Sequence, residues 1–119
     1  MIELDRKLFQ LCKPEGVKED IQFGFLLRGF PWCPSCDWRV MEPEIRKACK
    51  KHRVGFFSSW TLLTCTYSAW FESVDGNVYF SDSESGRELL PESAARALIS
   101  LLTAKAGKVS DEKGTENIL

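Results

Sequence analysis

Cys33 and Cys36, in the run Cys33-Pro34-Ser35-Cys36, are the residues whose type and spacing point most directly to chemistry. Two thiols separated by two residues either exchange two electrons as a dithiol/disulfide couple or donate two thiolates to a metal ion. The run follows an apolar stretch, Phe23-Gly24-Phe25-Leu26-Leu27, and precedes a segment with helical periodicity. Apolar run, C-x-x-C, helix is the order expected of a redox dithiol. Cys33 and Cys36 are therefore the candidate catalytic pair.

If a helix begins just after Cys33, its free N–H groups and its dipole favour a thiolate there. Pro34 has no N–H, so Ser35 and Cys36 supply the backbone donors. On this reading Cys33 attacks a substrate disulfide or sulfenic acid. Cys36, one helical step behind and more buried, then resolves the mixed disulfide. Phe30 and Trp32 form a flat apolar lip for a partner backbone, with Pro34 and Ser35 completing the substrate-binding surface. Arg28 and Arg39 add positive potential. No buried acid is evident to accept a proton, since Leu27 occupies the strand position six residues before Cys33.

The metal alternative uses Cys33, Cys36, Cys49 and His52, spaced C-x2-C-x12-C-x2-H. An unbroken helix from 37 to 52 would put Cys49 roughly 20 Å along the axis from Cys36, too far for one ion. The four meet only if Trp38–Met41 returns as a strand and the helix starts at Pro43. A zinc-stabilised binding module thus stays open, as does a redox-inert adaptor. Met41, Ile45 and Cys49 stand at i, i+4 and i+8, so Cys49 also reads as a core residue. His52 is favoured at a helix C-terminus by the dipole alone.

The elements that must position these residues follow from periodicity. Leu4, Leu8 and Leu11 predict an amphipathic helix over 2–12, ended by Pro14, Glu15 and Gly16. Residues 21–30 read as a buried strand, its end marked by Gly29 and Pro31. Residues 37–52 form a helix with Trp38, Met41, Ile45, Cys49 and His52 on one face. Val54–Phe57 is a second strand and 66–74 a third. Asp75-Gly76 is a two-residue hairpin turn and Val78–Phe80 the fourth strand. Pro91 and Glu92 open a last helix with Ala94, Leu98 and Leu102 as its stripe. After Ala104 the chain turns polar and glycine-bearing. The expectation is an α/β sandwich: a mixed four-stranded sheet, ordered helix then βαβ-β-β-α with a right-handed crossover, and helices packed on it. It forms a single domain over 1–104, with an N-terminal helical extension (1–20) and a flexible polar tail (105–119).

The motif Cys33-Pro34-Ser35-Cys36-Asp37-Trp38-Arg39 resembles the C-x-x-C start of bacterial members of the selenoprotein W-like (Rdx) family. Phe71-Glu72-Ser73-Val74-Asp75-Gly76-Asn77-Val78-Tyr79 is similar to that family's hairpin. Gly86 and Leu90-Pro91-Glu92 are similar to the lead into its last helix. The resemblance spans roughly residues 23–104. It implies a compact thioredoxin-like fold whose last three strands follow one another with no second crossover helix. Only about a dozen residues separate Phe57 from Trp70, which suits that smaller fold. The resemblance also implies a thiol-redox protein or a redox-responsive adaptor.

Totals narrow the classes further. A chain of 119 residues, 44% apolar and 12% aromatic, is enough for one real core. A formal net charge of −1 gives no drive toward nucleic acid or anionic membrane. No stretch approaches a membrane span, and the N-terminus lacks the basic-then-apolar order of a signal peptide, so a cytoplasmic location is expected. Five cysteines there should rest mostly reduced. Cys12 and Cys65 lie in no motif and read as buried small apolar residues. Lys47, Lys50, Lys51, His52 and Arg53 read as a solvated helix end, and Asp82-Ser83-Glu84-Ser85 as a solvated loop. No P-loop, G-x-G-x-x-G or H-x-E pattern occurs, so no cofactor is assigned and the main reading needs no metal. The expected partner is a protein or small-thiol disulfide, and the expected state a monomer.

Overall fold

The computed structural model describes residues 2–80 and 89–115. The order is α1 (Ile2–Cys12), β1 (Val17–Asp20), β2 (Gly24–Leu27), β3 (Phe30–Pro31), α2 (Trp38–His52), β4 (Val54–Thr61), β5 (Thr66–Ser73), β6 (Val78–Phe80) and α3 (Leu90–Thr115). The chain is mixed α/β, as expected. Its strands form two antiparallel three-stranded sheets, β1-β2-β3 and β4-β5-β6, and not one mixed four-stranded sheet.

The reason lies in residues 17–31. The expected strand over 21–30 is folded into a small meander. Asp20 Oδ1 accepts the N–H groups of Gln22 (2.8 Å) and Phe23 (2.9 Å), turning the chain from β1 into β2. Arg28 (φ 52°) and Gly29 (φ 83°) then make a two-residue turn that pairs Leu27 with Phe30. Positive φ at both central residues is what a tight hairpin turn requires. With β1 on one edge and β3 on the other, β2 has no edge left for β4. The expected parallel crossover pairing does not form among the described residues.

In the second sheet Val54↔Ser73 to Thr61↔Thr66 pair in one long hairpin. The β5–β6 turn is three residues, not two: Gly76 N–H reaches Ser73 O (3.1 Å) and Gly76 takes φ 89°. Ala69 and Phe71 point inward, fully buried under α3. There Ala94, Ala95, Ala97, Leu98 and Leu101 are fully buried, and Ser93 Oγ donates to the Tyr67 carbonyl at 2.8 Å. A side chain the size of Phe71, removed wholly from water, contributes about 1.5–3 kcal/mol. The α3 helix continues past Ala104 to Thr115, so part of the expected tail is helical. Each helix-interior glycine on that stretch costs only about 1 kcal/mol, and its other residues include good helix formers.

The α2 helix is unbroken across Pro43. Its buried face is Met41, Glu44, Ile45 and Ala48. This is turned from the expected face: Trp38 is exposed, and Cys49 and His52 are half-buried. Arg53 in the left-handed conformation ends the helix, its N–H bonded to the Cys49 carbonyl.

Candidate functional site

The Sγ atoms of Cys33 and Cys36 stand at disulfide distance, with Cα atoms 5.7 Å apart. The Cys33 carbonyl accepts from the N–H groups of Cys36 (3.2 Å) and Asp37 (2.9 Å), so residues 33–37 form a separate turn ahead of α2. Asp37 caps that helix. Its backbone is extended (φ −128°, ψ 110°) and its carboxylate accepts the Arg39 N–H at 3.0 Å. The Arg39 guanidinium bonds the same carboxylate and holds its pKa below the ordinary range. The helix starts at Trp38, within one residue of the expected 37–52 and not just after Cys33, and the first group its N-terminus meets is Asp37.

Exposure runs opposite to expectation. Cys36 is exposed and Cys33 is half-buried. Trp32 is the cause: its N–H donates to the Phe25 carbonyl at 2.8 Å. Its ring meets Phe9 and Phe25 edge-on, centroids 6.4 and 6.0 Å away, leaving it 4% exposed. Pro34 and Ser35 are also fully buried. The chain is held inward at 32, 34 and 35 and emerges at Cys36. Of the four expected substrate-binding residues, only Phe30 remains on the surface, 74% exposed. Phe30 and the largely buried Trp32, two of those four, line an open cleft of about 640 Å³ together with Arg28, Pro31, Asp37, Arg39 and Val40. Both arginines expected near the site are in it.

Sequence reasoning missed Asp5. This carboxyl comes from α1, is 4% exposed, and accepts the Ser35 N–H at 3.0 Å. The Ser35 side chain hydrogen-bonds it as well. Burial raises the Asp5 pKa and outweighs the lowering by these bonds. Ser35 Oγ in turn lies 3.9 Å from Cys33 Sγ. The signal in the sequence was a charged residue inside an apolar stripe: Asp5 stands next to Leu4 and three residues before the buried Leu8.

The opposite end of α2 carries the other candidate ligands. Cys49 begins the last turn of a continuous helix, about 16 Å along its axis from Trp38. The strand return that the zinc arrangement required is absent, so Cys33, Cys36, Cys49 and His52 do not converge. Among the described residues no group of three or more His, Cys, Asp or Glu is placed to share an ion. A cavity of about 250 Å³ near this end is lined by Cys12, Glu44, Lys47, His52, Leu98 and Leu102. Burial, then the Glu44 charge, pushes the Cys12 thiol up to about 12. Burial also raises Cys49, and burial with Lys51 and Lys105 lowers His52. Cys65, expected to be buried, is exposed in the β4–β5 turn, at φ 54°. The acidic loop Asp82–Ser85 lies outside the described residues.

Among the described residues no helix is long and apolar enough to cross a membrane. Comparison with known proteins finds no matching family model, no matching curated protein and no matching solved structure.

Proposed function

We propose that this chain is a thiol–disulfide redox protein whose Cys33/Cys36 dithiol reduces or exchanges disulfides on a protein or small-thiol partner, in a reducing compartment such as the cytosol. The observation that carries this reading is a pair of sulfurs at disulfide distance, one exposed, beside an open cleft with an exposed Phe30. An accessible pair held in a short turn can pass between dithiol and disulfide with little movement of the chain. The strand, C-x-x-C, helix order and the hairpin over 71–79 support kinship with the selenoprotein W-like, thioredoxin-like proteins.

The test is single-turnover reduction of a small aryl disulfide by the pre-reduced chain. Each wild-type chain should deliver two electrons and end with a Cys33–Cys36 bond. Replacing both residues with Ser should slow reduction by about a hundredfold or more, while Cys49→Ser should stay within about twofold. No reaction above that of an ordinary thiol would sink the proposal.

A redox-inert adaptor is the second reading, favoured by one observation. Phe57, Trp70 and Phe80 form an aromatic ladder on the sheet face away from α3, with centroids 6.0 and 6.3 Å apart. Partner binding retained by the double Ser variant, without turnover in wild type, would select that reading.

A further inference from the structure

Resting on the dithiol reading, two observations assign separate roles to the two cysteines. The first is access: Cys36 is exposed while Cys33 is half-buried between the anchored Trp32 and Pro34. The second is the polar path behind Cys33. Its Sγ lies 3.9 Å from the buried Ser35 hydroxyl, and Ser35 is bonded through both backbone and side chain to the buried Asp5 carboxyl. Among the described residues Cys36 has no such path; its sulfur faces the Cys33 carbonyl at 3.6 Å and the residue is exposed.

We propose that Cys36 attacks the substrate disulfide and Cys33 resolves the adduct, with Ser35 and Asp5 taking up the Cys33 proton. Attack falls to the sulfur a partner can reach, because exchange needs in-line approach to a sulfur–sulfur bond. The resolving thiol needs no such access, only its neighbour and a base. A carboxyl kept from water is a better proton acceptor than a solvated one.

The Cys36 thiolate, its proton lost to solvent, attacks one substrate sulfur. The substrate S–S bond breaks, and the departing thiolate takes a proton from water. Cys33 then gives its proton to Ser35 Oγ as Ser35 passes its own to Asp5. The freed Cys33 sulfur attacks Cys36 Sγ, the mixed disulfide breaks, and the second substrate thiolate leaves, protonated through solvent as Asp5 is deprotonated again. Two electrons and two protons move from the dithiol to the substrate. Ser35 touches the reacting sulfur; Asp5 acts through it and is a positioning residue.

Glutathione disulfide is the probe, with acid-quenched adducts mapped by mass spectrometry on the full, pre-reduced chain. Cys33→Ser should accumulate a stable glutathione adduct on Cys36. Cys36→Ser should form one on Cys33 at least about tenfold more slowly. Asp5→Asn keeps an oxygen for the Ser35 N–H, and Ser35→Ala keeps that N–H for Asp5. Both should form the Cys36 adduct at near wild-type rate yet close the Cys33–Cys36 bond about tenfold or more slowly. If one of them fails to fold, the other carries the test. Faster adduct formation on Cys33 overturns the assignment, as does equal slowing of both steps or no slowing of closure. In each of those cases the dithiol function stands. A wild-type chain that forms neither an adduct nor the internal bond removes that function, and the assignment with it.

Discussion

The two ends of α2 both carry sulfur, and they differ in what surrounds it. Ahead of the N-terminus, the chain turns outward at Cys36 beside an open cleft, and Cys33 sits against a hydroxyl backed by a carboxyl. Near the C-terminus, Cys12 lines a cavity with Ala48, Leu98 and Leu102, Cys49 is half-buried against the core, and burial disfavours both thiolates. The thiol itself is the same group at each end. Access and the placement of a polar neighbour separate a sulfur that can react from one that fills space. A count of cysteines cannot make that distinction.

The contrast breaks most readily through thiol reactivity. At pH 8, alkylation of Cys12 should be about a hundredfold or more slower than that of the exposed Cys65, because so little Cys12 thiolate forms. Peptide mapping after iodoacetamide treatment reads this, and denaturant should abolish the difference. Comparable rates in the folded chain would mean the cavity wall opens freely. The same shift has a sign for stability. A thiol whose folded pKa is raised from 9.0 to about 12 favours the folded state below pH 9, and loses that contribution as pH rises toward 12. Cys12→Ala should flatten the stability profile across that window.

Packing gives the next largest effect. Met41 is fully buried beneath the dithiol end of α2, so Met41→Ala should cost about 2–5 kcal/mol, read from denaturant midpoints at constant slope. A loss below about 1 kcal/mol would show that the helix tolerates a hole there. The smallest effect concerns the helix start. Asp37→Ala removes the cap and should cost about 0.5–2 kcal/mol, while Asp37→Asn should retain most of it. If the two variants lose equally, charge pairing with Arg39 matters more than the capping bond.

Much of this was legible in local pattern. The stripe Leu4–Leu8 announced α1, and Met41 and Ile45 announced α2, because a 3.6-residue repeat of apolar side chains has one good solution. Asp75-Gly76 located a turn, though Gly76 alone holds positive φ and the loop takes one residue more. The first sheet was harder. In β1 only Val17 is buried, so Lys18, Glu19 and Asp20 show no alternation to read as a strand. What built that sheet was side-chain capping by Asp20 and left-handed backbone at Arg28 and Gly29. Neither is a matter of hydrophobicity. At the site, spacing identified Cys33 and Cys36. Their order of exposure depended on Trp32 reaching Phe9 and Phe25, contacts between distant segments that spacing does not encode.

Asp5 and Ser35 are 30 positions apart in the chain. Closing a flexible loop of that length costs about 3 kcal/mol in entropy beyond a fixed initial cost. Ser35 gives the Asp5 carboxylate two hydrogen bonds, each worth about 1.5–3 kcal/mol, but burying that carboxylate offsets them, so packing must share in holding α1. The helix is held by Leu8 in the core and by Phe9 stacked on Phe25, centroids 4.9 Å apart. The carboxyl behind the dithiol is thus on loan from a hydrophobic docking event. A partial unfolding that peels away the first helix would leave both cysteines in place and remove the acid behind Cys33.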